Sequence, residues 1–67
     1  MEKICIGKNI KELRMKLGYT QEQLANELGV TRQTLSNWEC EKTIPDSMQL
    51  NEISKRLNIS IECIMGE

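Results

Sequence analysis

The 67-residue chain has no histidine and no phenylalanine, and only one tryptophan, one tyrosine and one proline. Without histidine it lacks the commonest general base and metal ligand. Its three cysteines, Cys5, Cys40 and Cys63, are odd in number and widely spaced, with no CxxC pair. That pattern forms neither a disulfide framework nor a zinc site, so reduced thiols and no bound metal are expected. The three read as small packing or surface residues, with redox sensing through Cys40 as the alternative. There is also no Gly-rich phosphate loop and no pair of carboxylates in an apolar setting. Catalysis, a cofactor and a small-molecule ligand are therefore not expected.

No apolar run approaches the ~18 residues needed to span a membrane. The N-terminal segment MEKICIGKNI lacks the long apolar stretch and small-residue cleavage site of a signal peptide. A cytoplasmic protein with no membrane partner is the expectation. A general excess of positive charge is missing too, the net charge being −1. What positive charge exists is uneven. Residues 1–20 carry Lys3, Lys8, Lys11, Arg14 and Lys16 against Glu2 and Glu12, a balance of +3, while residues 21–39 and 40–67 each balance at −2.

The length allows one domain, 1–67, whose aliphatic core supplies only roughly 3–5 kcal/mol of net stability. Helix starts are marked by a recurring local device. Thr20 with Gln23 forms a capping box, flanked by Tyr19 and Leu24 at the positions of a hydrophobic staple. The same arrangement recurs at Thr31 (staple Val30 and Leu35), at Asp46 (box partner Gln49, staple Pro45 and Leu50) and at Ser60 (staple Ile59 and Ile64). A further helix runs from near Gly7 to Leu17, its apolar positions Ile10, Leu13 and Leu17 following helical spacing, with Gly18 at the end. The second helix buries Leu24, Ala25 and Leu28, the fourth Leu50, Ile53 and Leu57, and the short fifth lies around Ile61, Ile64 and Met65. Residues 40–45 read as a loop closed by Pro45. No strand pattern is present. The expected fold is all-α, a compact bundle of five short helices.

Residues 20–39, TQEQLANELGVTRQTLSNWE, hold the most specific signal. Two short helices meet at Gly29, where positive φ is free of Cβ strain. Ala25 is small where the second helix approaches the third. On the third helix Arg32, Gln33, Ser36 and Asn37 share one arc, while Leu35 and Trp38 lie opposite as packing residues. A helix presenting Arg, Gln and Asn is chemically suited to reading base edges in a DNA major groove.

Residues 6–57, through IKELRMKLGYTQEQLA, the Gly29 turn, TRQTLSNWE and the downstream IPD, resemble the Cro and phage-repressor family of helix-turn-helix proteins, also called the xenobiotic-response-element type. The resemblance implies a lambda-repressor-like DNA-binding domain whose helix-turn-helix is formed by helices 2 and 3. It implies base contacts by Arg32, Gln33, Ser36 and Asn37, and phosphate contacts by Gln21, Thr31 and Lys42. It further implies a structural ion pair between Arg14 and Glu39. The chain departs from the family after that Glu: Cys40, Glu41 and Lys42 stand where Asn or Gly and then Gly-Lys are usual, which puts an acid in the phosphate-facing loop. The function so implied is a sequence-specific regulator of transcription, bacterial or phage-encoded. It would bind a pseudo-palindromic double-stranded operator as a homodimer and act as a repressor. Residues 58–67, with Ile59, Ile61, Ile64 and Met65, are the expected dimer contact. The alternative is a DNA-binding antitoxin or a protein-interaction module on the same fold.

Overall fold

The computed structural model describes residues 5–66. Five helices follow in chain order: α1 Ile6–Leu17, α2 Gln21–Leu28, α3 Arg32–Glu39, α4 Ser47–Leu57 and α5 Ile61–Met65. No strand occurs among the described residues. Four of the five starts are capped as their sequences dictate. Thr20 and Asp46 accept from the backbone N–H of Gln23 and Gln49, whose side chains return a hydrogen bond to the cap backbone, completing two capping boxes. Thr31 and Ser60 accept from the N–H of Thr34 and Cys63 in one direction only, because neither Thr nor Cys at the third helical position has a carbonyl to reach back with. The full box thus stands at α2 and α4, and α3 and α5 have simple caps. Each cap contributes about 1 kcal/mol.

Ile10, Leu24, Ala25, Leu28, Leu35, Trp38, Ile53 and Ile64 form the buried core, and Ile6, Leu13, Tyr19, Val30, Leu50, Leu57 and Ile59 pack around it. α1 lies against α3 and α5, α2 against α3 and α4, and α4 against α5. Two expectations change here. Leu17 falls on the apolar stripe of α1 by spacing, yet it is 49% exposed. It is the last residue before the chain turns at Gly18 (φ 77°), and about half of its surface stays open to solvent. Ile64, expected at a dimer surface, has no exposure at all, because the short α5 folds back onto α1 and α4 and uses Ile64 to close its own core. Ile59 also packs on that core, leaving Ile61 and Met65 only half-buried.

The start of α1 comes close to the end of α3. A Cβ at Gly7 would come within 1.8 Å of the carbonyl oxygen of Trp38, so only glycine fits there. Two residues further along α1, Asn9 donates through Nδ2 to the Ile64 carbonyl at 2.8 Å and ties α5 to α1.

Candidate nucleic-acid interface

The site is built on α3. Leu35 and Trp38 are buried, with 0% and 2% exposure, and they seat the helix on the bundle. The opposite arc is open: Arg32 and Gln33 are exposed, Ser36 and Asn37 half-buried. All four expected base-reading residues therefore share one accessible face. The Arg32 side chain makes no hydrogen bond or ion pair among the described residues and projects five unused donors. Gln33 donates through Nε2 to Asn37 Oδ1 at 3.0 Å. That bond orients the Gln33 amide but leaves its carbonyl and its second N–H available, the pair of groups that matches the edge of adenine.

Gln21, the first residue of α2, borders the same shallow hollow as Arg32, Gln33 and Ser36, and a second hollow continues through Gln21 to Arg14 and Tyr19. The N-terminus of α2 therefore adjoins the α3 face. Thr31 is exposed at the head of α3, its hydroxyl 2.8 Å from that of Thr34. Lys42 is exposed in the loop after α3, and its backbone N–H donates to the Asn37 carbonyl at 2.9 Å. Gln21 thus borders the polar face of α3, while Thr31 precedes the helix and Lys42 follows it, both exposed.

A part-buried ion pair holds this face to the scaffold. Arg14 Nε donates to Glu39 Oε2 at 2.8 Å and Nη2 to Oε1 at 3.3 Å, while Nη1 donates to the Tyr19 carbonyl at 3.0 Å. Gln21 Nε2 adds a third bond to the Glu39 carboxylate at 3.1 Å. The side chains of Arg14 and Glu39 are 15% and 3% exposed. The Arg14–Glu39 pair, with Gln21, thus links the end of α1, the turn before α2, the start of α2 and the end of α3. The bidentate geometry needs the planar guanidinium fork, which lysine lacks.

Sequence reasoning expected the Arg14–Glu39 pair but missed the part Gln21 plays in it. It also missed the role of Glu41. This residue has φ 63°, in the left-handed region, which costs a residue bearing Cβ roughly 1–2 kcal/mol. Its side chain turns inward, and Oε1 accepts from the backbone N–H of Gly7 at 3.1 Å. The acid expected to face phosphate instead caps the start of α1, which has no side-chain cap of its own and no acidic residue in its first turn.

Of the cysteines, Cys5 is half-buried and Cys40 and Cys63 are exposed. Among the described residues no cluster of His, Cys, Asp or Glu has the makings of a metal site, and no helix is long and apolar enough to cross a membrane.

Comparison with known proteins agrees with this geometry. The chain is 37% identical over 64 residues to the HTH-type transcriptional regulator ImmR of Bacillus subtilis strain 168, covering 96% of this chain and 50% of ImmR. It is 34% identical over 59 residues to YonR, a prophage-derived HTH-type regulator of the same organism, covering 88% of this chain and 55% of YonR. It spans about half the length of these curated relatives. Among solved structures, the P22 c2 repressor in complex with a synthetic operator superposes with a TM-score of 0.82 at 30% identity, over 96% of both chains. The sequence pattern of the helix-turn-helix family matches residues 10–62. With that match and this architecture, the chain belongs to the helix-turn-helix family.

Proposed function

We propose that the protein is a sequence-specific, double-stranded-DNA-binding regulator of transcription. It represses by occupying a pseudo-palindromic operator as a homodimer in the bacterial cytoplasm. The observation that carries this reading is the α3 face: four polar side chains on one accessible arc, over a helix seated by two buried apolar residues and one part-buried ion pair. The likeness to an operator-bound repressor over almost all of both chains supports the same reading. Arg32, Gln33, Ser36 and Asn37 are the proposed base readers. Gln21, Thr31 and Lys42 are the proposed phosphate contacts. Gln21 serves both its Glu39 bond and DNA, since the amide retains a second N–H.

A net charge of −1 gives little bulk attraction to DNA, so placement of a few groups must provide affinity. The salt dependence is accordingly shallow, with a slope of about −1 to −3 per protomer in log K against log salt. For the dimer, Ile61 and Met65 are the remaining half-buried apolar residues at the C-terminal end. A two-fold pair would set its recognition helices about 34 Å apart.

Selection of bound duplexes from a random pool at two salt concentrations tests the proposal. Recovery of a two-half-site sequence with ten-to-eleven-base-pair centre spacing supports it. A pool that stays random overturns it, and a single enriched half-site bound by a monomer in sedimentation overturns the dimer.

A further inference from the structure

Three of the helices, α1, α2 and α4, end in the same way. The residue after the helix is left-handed, its N–H bonds back into the last turn, and the next N–H reaches one residue further: Gly18 and Tyr19 to Met15 and Arg14, Gly29 and Val30 to Asn26 and Ala25, Asn58 and Ile59 to Lys55 and Ser54. α3 ends with the same pair of bonds, Glu41 to Trp38 and Lys42 to Asn37. The left-handed residues are thus glycine, glycine and asparagine, the types that tolerate this conformation, and then glutamate, which does not. The backbone alone gives no reason for glutamate here. Its side chain does, since Oε1 is bonded to Gly7 N–H, 34 residues away. The space beside Gly7 is filled by the Trp38 carbonyl oxygen and by this same carboxylate oxygen, which would lie 2.9 Å from a Cβ there.

We propose that Glu41 is a positioning residue for DNA-backbone binding, acting through Lys42. By closing onto the first turn of α1 it locks the left-handed turn from which Lys42 departs. It also keeps its own negative charge at the positive end of the α1 dipole, away from the phosphate path. The start of α1, the end of α3 and the Lys42 loop then form one rigid junction. This inference rests on the DNA-binding reading above.

The two effects of removing the side chain oppose each other, which makes the test decisive. Glu41→Gly relieves the backbone and deletes a negative charge near DNA. A purely structural or bulk-charge role therefore gives binding that is equal or tighter. The positioning role gives the reverse: operator affinity falls by on the order of five- to tenfold at 0.1 M salt, and the salt slope flattens by about one unit, as if Lys42 were lost. Glu41→Gln keeps the carbonyl acceptor for Gly7 N–H and restores both quantities. Lys42→Ala added to Glu41→Gly costs nothing further, but added to Glu41→Gln it costs its full amount. The Gly7 amide resonance, read by NMR without DNA, shifts in Glu41→Gly and stays in Glu41→Gln.

The proposal is overturned if Glu41→Gly binds as tightly as the parent with an unchanged slope. It is equally overturned if Lys42→Ala costs as much in Glu41→Gly as in the parent, or if the Gly7 amide does not shift. If Glu41→Gly fails to fold, Glu41→Gln decides alone: it must keep the parent's operator affinity, salt slope and Gly7 amide shift, and the loss of any of these overturns the proposal. A parent protein that binds no selected duplex overturns the DNA-binding reading itself, and is distinguished from these outcomes by being measured first.

Discussion

Arg14 and Glu39 meet through two hydrogen bonds, 2.8 and 3.3 Å long, and neither side chain is more than 15% exposed. The carboxylate takes a further bond from Gln21 and the guanidinium gives one to the Tyr19 carbonyl, so every strong polar group of the pair is used. Removing one partner strands a buried charge, at a cost of about 3–5 kcal/mol. A domain of this size has roughly that much stability in total. Arg14→Ala or Glu39→Ala is therefore expected to be largely unfolded at 25 °C, as urea titration followed by circular dichroism would register. Gln21→Ala breaks one bond and leaves the pair intact, with a loss of about 1 kcal/mol. A Glu39→Ala protein as stable as the parent would show that the pair is incidental.

Gly7→Ala is the sharpest test of packing. The new methyl would meet the Trp38 carbonyl oxygen at 1.8 Å, and a backbone atom cannot swing aside as a flexible side chain would. Helix propensity alone makes alanine better than glycine by about 1 kcal/mol. Overpacking reverses that sign, and a net loss of about 1–3 kcal/mol is expected. In a domain of this size each kcal/mol moves the melting temperature by roughly 4–8 °C. Thermal denaturation should therefore show a clear decrease, and an unchanged or raised Tm would mean that α1 and α3 are not so close.

These two cases mark what the sequence could convey. Cap residues act on N–H groups two or three positions away, so Thr20, Thr31, Asp46 and Ser60 were legible as helix starts without any tertiary information. Arg14–Glu39 spans 25 residues and was legible only through the family resemblance. Gly7–Trp38 and Glu41–Gly7 span similar distances with no such precedent, and glutamate carries no local signal for a left-handed turn. Periodicity placed Leu17 at the right angle on α1 but could not reveal that the fold leaves this last residue half exposed. It also made Ile64 look surplus in so short a helix, whereas the fold back of α5 consumes it. The polar arc of α3 was legible because a polar face on a helix with a buried seat is itself a local pattern.

Lys42 is expected to act without regard to base sequence. Its exposed ammonium has no ion-pair partner among the described residues, and its backbone is fixed to the end of α3. Lys42→Ala should lower affinity for specific and unrelated duplexes by the same factor and reduce the salt slope by about one unit. Fluorescence anisotropy across a salt series, with the selected operator and a scrambled duplex, measures both. A loss confined to the operator would make Lys42 a base reader instead.

Arg32 and Gln33 should behave in the opposite way. Arg32 has all its donors free, and a bidentate contact with guanine would contribute about 1–3 kcal/mol of discrimination at one base pair. Arg32→Ala is expected to lose that amount on the operator and almost nothing on a duplex already altered at the matching position. Gln33 differs because its amide is held by Asn37 at 3.0 Å. Its two free groups are presented in one orientation, so Asn37 contributes to Gln33's selectivity even where it touches no base. Gln33→Ala and Asn37→Ala should therefore be non-additive, with a coupling of at least about 0.5 kcal/mol in a double-mutant cycle of operator affinity. The base pair at which preference relaxes should be shared by the two variants. Strictly additive losses at two different base pairs would make Gln33 and Asn37 independent readers, and Gln33→Ala with unchanged affinity and preference would remove Gln33 from the groove altogether.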